Sequence, residues 1–248
     1  MDLSYYAVVT LAWTLGGLVS GTAGMGSSLI ALPLLNLVMG PDMAIMNCCI
    51  VGGIVPLLIF AMHWQGTRGK ELVLLLLASL PGCMVGVLIF EYISLAWLSV
   101  VLGLVVSLFV FWQLFSHNFT YRIQNDNAKM ALLFGFLAGT SHTLTGVPGT
   151  VTGVYATLRT WNKENILAMQ SGYFIVASLM TCLIQWSRGL YTEQLMWSVA
   201  CSLPGMALGL LISIPVQKLV SQELCRKMLL VVLSFSAVML FVRGVNMI

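Results

Sequence analysis

Long apolar runs recur along the whole chain, and they limit the available folds more than any other feature of the sequence. Most of them reach the ~17–25 residues with which a helix crosses the hydrocarbon core of a bilayer. Hydrophobic residues make up 59% of the 248 residues and charged residues 8%, whereas soluble domains carry about 25% charged residues. So few charges cannot cover the surface of a soluble protein of this size. The sequence therefore predicts an all-α polytopic membrane protein, with the lipid bilayer as its surroundings.

Two of the apolar segments are unusually short. Ten segments can be delimited, at residues 5–23, 26–39, 43–63, 72–91, 95–115, 129–143, 147–158, 165–186, 194–215 and 226–243. The second and the seventh are too short to span a core of ~30 Å comfortably. Each of these two follows a glycine-rich break, so we expect them to be half-helices or re-entrant segments.

A short motif repeats at a fixed distance. The tetrapeptide Ser-Leu-Pro-Gly at 79–82 recurs at 202–205, an offset of 123 residues, and the pattern of apolar segments repeats with it. Internal repeats of this kind indicate a fold built from equivalent units. The sequence therefore predicts two halves of five apolar segments each, 1–115 and 128–248, joined by a polar cytoplasmic linker at 116–127.

The odd number of segments per half predicts that the halves are inverted, because the second half then begins on the opposite side of the membrane. The basic residues support this arrangement. Only Arg188 and Arg243 fall on one side, whereas the other side carries nine: Arg68, Lys70, Arg122, Lys129, Arg159, Lys163, Lys218, Arg226 and Lys227. Loops rich in lysine and arginine stay in the cytoplasm. The side with nine is therefore predicted to be cytoplasmic, and both termini are predicted to lie outside.

The first break predicts an anion site near the bilayer midplane. Inverted repeats with interrupted helices are typical of secondary transporters that bind their substrate at this depth. Gly24 and Gly26 allow the chain to break, and Ser27 or Ser28 can cap the helix that restarts. The start of that helix directs free N–H groups and the positive end of its dipole at the break, which favours an anion.

The second half repeats the break, and here threonine hydroxyls accompany the glycines. The offset of 123 residues aligns Gly26 with Gly149, and Thr143, Thr145 and Thr150 lie beside that break. Pro148 suits the first turn of a helix. An alternative stays open for both breaks: their glycines could serve only close helix packing, for which small residues are common in membranes.

Three polar side chains within apolar segments are further candidates for the substrate site. His142 lies well inside its segment and within the second break, and an ionisable group at such a depth suggests function. Protonated, it could offset an anion's charge; alternatively it is neutral and bonded to a backbone carbonyl. Asn47 and Gln170 are equivalent by the offset of 123 residues. Either they line the substrate path or they join helices by hydrogen bonds.

Other classes of function find no support in the sequence. The net charge of +3 is too small to predict nucleic acid binding. The glycines at 21–26 do not have the spacing or the βαβ context of a dinucleotide site. Paired carboxylates, a Cys–His constellation, metal-ligand spacing and a Walker motif are absent from the sequence. We therefore expect neither an enzyme nor a bound cofactor or metal.

These features together resemble a known family. Each half opens with a glycine-rich break before a short proline-containing segment, at 21–33 and 139–149, and a polar linker joins the halves. The chain resembles the TauE/SafE sulfite exporter family over essentially its whole length. The resemblance implies a prokaryotic inner-membrane transporter of sulfite, an organosulfonate or a related small sulfur oxyanion, energised by an ion gradient. Met25 in the first break and the histidine and threonines in the second depart from the denser glycine clusters of the family.

The function expected from the sequence is therefore secondary transport of a small anion by alternating access. The substrate site would combine the two breaks with the two amides, and its residues would be Gly24, Gly26, Ser27, Ser28, Asn47, His142, Thr143, Thr145, Gly149, Thr150 and Gln170. The alternative is a channel-like permease for another small anionic or neutral solute. Import or export, a coupling proton or other cation, and assembly into a homo-oligomer stay open.

Overall fold

The computed structural model describes residues 3–23, 27–115, 128–146, 149–159 and 161–219, and every element within these ranges is helical. A 3₁₀ turn at Trp64–Gly66 accompanies the α-helices. These are α1 (Leu3–Ala23), α2 (Ser27–Val38), α3 (Pro41–Val51), α4 (Val55–His63), α5 (Gly69–Tyr92), α6 (Leu95–Phe115), α7 (Ala128–Thr145), α8 (Gly149–Leu158), α9 (Lys163–Ser187) and α10 (Glu193–Leu219).

The helices follow the apolar segments closely. For example, α9 occupies Lys163–Ser187 where the sequence predicts a segment at 165–186. The two helices that follow the breaks are short, with 12 residues in α2 and 10 in α8. The linker at 116–127, the segment at 226–243 and the glycines Gly24 and Gly26 lie outside the described residues.

Four helical stretches within the described ranges are long and apolar enough to cross a membrane. They are Pro41–Gly66, Gly69–Tyr92, Glu164–Ser187 and Glu193–Val216. Large apolar side chains such as Leu77, Leu183 and Leu211 are more than half exposed on their outer faces, as a surface in contact with lipid requires. The all-helical membrane class is confirmed at this level. That the halves are inverted stays a prediction.

The third apolar segment contains a turn that its prediction did not include. The segment predicted at 43–63 corresponds to one candidate span, Pro41–Gly66, but a turn at Gly52, Gly53 and Ile54 separates α3 from α4 within it. Pro56 lies in the first turn of α4 and has no backbone N–H, so it cannot continue a helical hydrogen-bond ladder through the glycines. This turn brings backbone into the centre of the bundle, where it contributes to the site described below.

The repeated Ser-Leu-Pro-Gly motif packs its helix in the same way at both of its positions, each time against a helix of the other predicted half. Helix α5 packs along α7, and helix α10 packs along α1. A Cβ added at Gly82 of α5 would overlap the carbonyl oxygen of Phe136, and one at Gly205 of α10 would overlap that of Thr10. Such close backbone contact across small residues is a common way for membrane helices to associate. This equivalence supports the prediction of two repeated halves.

The predicted orientation can be tested with single cysteines. Lys70 and Ser187 lie at opposite ends of the bundle and are both exposed. We expect Lys70→Cys to react with a membrane-impermeant maleimide only after the cells are permeabilised, because its loop is predicted to be cytoplasmic. Ser187→Cys should react in intact cells. Labelling in the opposite order would reverse the predicted orientation, and the unsubstituted chain is the control for its own cysteines.

Candidate functional site

Segments from both halves meet in a buried group that we call the central cluster: Ser28, Gly52, Gly53, His142 and Ser178. A Cβ added at Gly52 would lie 2.6 Å from the Ser28 hydroxyl oxygen, and one at Gly53 would lie 2.8 Å from the Cβ of Ser178. The Ser178 hydroxyl lies 3.3 Å from Nε2 of His142. The start of α2 and the end of α7, which flank the two predicted breaks, are thus connected through the turn between α3 and α4.

His142 is the ionisable side chain of the central cluster. It lies in the last turn of α7 and is 0% exposed. Its Nε2 lies within hydrogen-bond distance of Ser178, whereas its Nδ1 has no hydrogen-bond partner among the described residues. A buried polar atom without a partner costs about 1–3 kcal/mol. That cost is expected where a ring nitrogen is kept for a ligand.

The end of α7 is fixed by Gly146. Its φ of +64° is a left-handed conformation that glycine adopts readily, and its N–H donates to the carbonyl oxygen of His142 at 2.8 Å. A Cβ at this position would lie 2.9 Å from the carbonyl oxygen of Ile45 and from the Cβ of Cys48. Gly146 therefore ends α7 one turn after His142 and lets the end of the helix pack closely against α3.

Thr143 and Thr145 are both 0% exposed, and their hydroxyl groups are bonded within the protein. The Thr143 hydroxyl donates to the carbonyl oxygen of Gly139 at 3.1 Å and lies 3.2 Å from the hydroxyl of Thr181 on α9. The Thr145 hydroxyl donates to the carbonyl oxygen of Ser141 at 2.7 Å. Both threonines therefore lie close to His142, with Thr143 directed towards α9.

The remaining residues predicted from the two breaks lie at helix starts or outside the described residues. Ser27 and Ser28 are the first two residues of α2 and are buried, and Gly149 and Thr150 are the first two residues of α8. The carbonyl oxygen of Ser27 packs against Gly16, where an added Cβ would lie 2.7 Å away. The start of α2 is therefore held against α1.

The two amides have different surroundings. Asn47 is bonded on both sides: its Oδ1 accepts from Nε1 of Trp13 at 2.8 Å, and its Nδ2 donates to the Ser202 hydroxyl at 3.2 Å. These bonds join α1, α3 and α10, as the interhelical alternative expects. Gln170 is 4% exposed, and its Nε2 has no hydrogen-bond partner among the described residues. It lies against Gly153, where an added Cβ would be 3.7 Å from Nε2.

Sequence reasoning missed Ser178 and the glycine pair at 52–53. Ser178 lies two helical turns beyond Gln170 on α9, so it shares a face with that amide. This periodicity is a signal that could have identified it. The glycine pair is followed closely by Pro56, a combination that favours a turn even inside an apolar run.

Comparison with known proteins decides the family. The family model described as "Sulfite exporter TauE/SafE" matches residues 9–240. The chain belongs to the sulfite exporter TauE/SafE family. No curated protein and no solved structure matches the chain.

Membership in the TauE/SafE family indicates a membrane transporter of sulfur anions. The chemistry of the central cluster suits such a role, because hydroxyl and imidazole groups donate hydrogen bonds to oxyanions. Within the part of the chain that the structure describes, no group of three or more His, Cys, Asp or Glu side chains is placed to hold a metal ion.

Proposed function

We propose that this TauE/SafE protein is a secondary transporter that moves sulfite, an organosulfonate or a related small sulfur oxyanion across the prokaryotic inner membrane by alternating access. The observation that carries the proposal is the central cluster, and it is found in a chain that belongs to this family. In that cluster lies a fully buried histidine, one ring nitrogen of which has no hydrogen-bond partner among the described residues, where segments of the two predicted halves meet. An ionisable group at such a depth in a membrane protein usually serves a substrate or proton pathway.

The proposed site is centred on His142 and Ser28, with Gln170 as an additional donor. The Nδ1 of His142 and the Nε2 of Gln170 are two of the buried polar atoms that have no hydrogen-bond partner among the described residues, and a ligand could satisfy them. The helix starts at Ser27 and Gly149 would contribute free backbone N–H groups and positive helix dipoles. The wall of the site would be completed by Thr143, Thr145 and Thr150, together with Gly24 and Gly26. Asn47 would hold the surrounding helices in position.

Burial of the central cluster favours a carrier over an open pore. His142, Thr143 and Thr145 are each 0% exposed, so a solute reaches them only if helices move apart. Alternating access provides such a movement, because one helical group rocks against another around a fixed site. A channel-like permease would instead require a continuous path. Saturable, gradient-dependent uptake would support the carrier, whereas flux that stays proportional to concentration would support the pore.

The proposal is tested by sulfite flux into proteoliposomes. We expect His142→Ala to lower the rate of sulfite uptake by about ten- to hundredfold, because a hydrogen bond to a charged group contributes about 1.5–3 kcal/mol. His63→Ala is the matched control, since His63 is the last residue of α4 and lies at a segment end. Its flux should equal that of the unsubstituted protein.

Two outcomes would count against the proposal. If His142→Ala transports sulfite and an organosulfonate with unchanged rate and affinity, His142 does not belong to the site. If the unsubstituted protein in liposomes shows no gradient-driven flux of either anion, the proposed substrate class is wrong. A second test substitutes Gln170 with leucine, which keeps the volume and removes the donor.

A further inference from the structure

A second polar site lies away from the central cluster, at the end of the bundle that carries the predicted cytoplasmic basic residues. A cavity of about 540 Å³ opens there, lined by the first turns of α5 and α7 and by α8. Its lining residues are Arg68, Gly69, Lys70, Glu71, Leu74, Ala128, Ala131 and Tyr155. We call it the mouth cavity.

The mouth cavity has an excess of positive charge. Glu71 is its acidic lining residue, and Arg159 neutralises it: Nε of Arg159 donates to Oε1 of Glu71 at 2.6 Å. The Tyr155 hydroxyl donates to the same oxygen at 2.5 Å. Arg68 and Lys70 are exposed, and within the described part of the chain neither forms an ion pair. Their two charges are therefore uncompensated within the described lining.

The start of α5 lies at this cavity and adds to its preference for anions. Gly69, the first residue of α5, lines the cavity, as does Ala128 at the start of α7. The free N–H groups and the positive dipole end of a helix start such as that of α5 favour anions. No atom of the described residues lies within 4 Å of the position that a Cβ would take at Gly69, so among these residues a ligand can approach this backbone closely.

We propose that the mouth cavity is a second anion site, in which Arg68, Lys70 and the start of α5 bind a small oxyanion such as sulfite on its way to or from the central cluster. This inference rests on the proposed function for its choice of anion. The buried pair of Glu71 and Arg159 sets the affinity of the site. The Glu71 carboxylate adds one negative charge to the wall of the cavity, and its ion pair with Arg159 offsets the positive charge of that arginine. The anion therefore binds weakly enough to be passed on. Positive charge at the mouth also raises the local concentration of the anion.

The site is tested by calorimetric titration of sodium sulfite into the protein in nanodiscs of neutral phosphatidylcholine, at constant ionic strength. We expect Arg68→Gln to weaken sulfite binding by about tenfold, since one charged donor is lost. Arg188→Gln is the matched control. It changes the net charge equally but at the opposite end of the bundle, where Arg188 pairs with Glu91 at 3.5 Å, and it should leave the affinity unchanged.

Glu71→Gln gives the opposite expectation. Glutamine keeps the shape and the acceptor for Tyr155 and Arg159, but it removes the negative charge from the wall. Sulfite affinity should therefore rise by about tenfold. In a flux assay, Arg68→Gln should raise the half-saturating sulfite concentration and leave the maximal rate unchanged, because the central cluster is intact.

The same oxyanion chemistry occurs in lipid headgroups, so a second arm adds phosphatidylglycerol to the nanodiscs. Suppose that Arg68→Gln reduces the retention of this lipid but does not change sulfite binding. That result would place a headgroup in the cavity and overturn the proposal. Equal effects of Arg68→Gln and Arg188→Gln would overturn it too, since general charge would then explain them. Either result, obtained with normal sulfite flux by the unsubstituted protein, would leave the proposed transport function standing.

Discussion

Replacing Arg159 with methionine is expected to lower the free energy of unfolding by about 3–5 kcal/mol. The Arg159 and Glu71 side chains are only 4% and 11% exposed. Methionine would leave the Glu71 carboxylate buried without its cation, and only the Tyr155 hydroxyl would still donate to it. In a chain of this length the apparent melting temperature should fall by about 6–20 °C. Thermal unfolding of the detergent-solubilised protein measures this shift.

The controls for this prediction separate burial from charge. Arg188→Met removes the same charge from a pair in which the arginine side chain is 48% exposed, and we expect it to cost about 0–1 kcal/mol. The double variant Glu71→Leu/Arg159→Met removes both charges and should recover most of the lost stability, since replacing a whole buried pair by apolar groups is often neutral. Equal losses in Arg159→Met and Arg188→Met would mean that the Arg159 pair is not buried in the membrane-embedded protein.

The helices of this chain could be predicted well because the membrane makes hydrophobicity the dominant signal. A helix must remain apolar for as long as it lies in lipid, since its backbone cannot bond to water there. The ends of α5 and α9 accordingly lie within three residues of the predicted apolar segments at 72–91 and 165–186. The short lengths of α2 and α8 were also visible, because their apolar runs are short.

The turn between α3 and α4 shows where this signal fails. Gly52, Gly53 and Ile54 interrupt the helix without interrupting the apolar run, so hydrophobicity alone cannot locate the turn. A break at this depth needs other protein around it to satisfy its backbone. That protein comes from α2, one helix earlier in the chain, and from α9, which is distant in sequence. The glycines and Pro56 indicate flexibility, but only packing decides that the helix ends there.

The candidate site could be predicted only in part, because its decisive contacts join distant segments. His142 could be identified from its depth alone, but its neighbour Ser178 is 36 residues away on another helix. The pairing of Glu71 with Arg159 spans 88 residues. The sequence predicts that Arg159 lies on the side of the membrane that carries nine basic residues. It does not predict which residues at the start of α5 lie beside which residues at the end of α8. That arrangement depends on how the two halves pack.

Substituting alanine for Gly82 is expected to destabilise the protein by about 1–3 kcal/mol, the usual cost of overpacking a close contact. The added methyl group would overlap the carbonyl oxygen of Phe136, so α5 and α7 would have to move apart along their whole interface. This cost outweighs the ~1 kcal/mol that alanine gains over glycine in a helix. Chemical or thermal unfolding in detergent measures the difference.

Gly69→Ala is the matched control, since it makes the same substitution in the same helix, where no described residue lies within 4 Å of the new methyl group. It should change stability by less than about 0.5 kcal/mol. Gly205→Ala should behave like Gly82→Ala, because Gly205 meets the Thr10 carbonyl oxygen of α1 in the equivalent way. Equal losses at Gly82 and Gly205 would support two repeated halves that pack by the same motif. If Gly82→Ala were as stable as Gly69→Ala, α5 and α7 could not be in backbone contact.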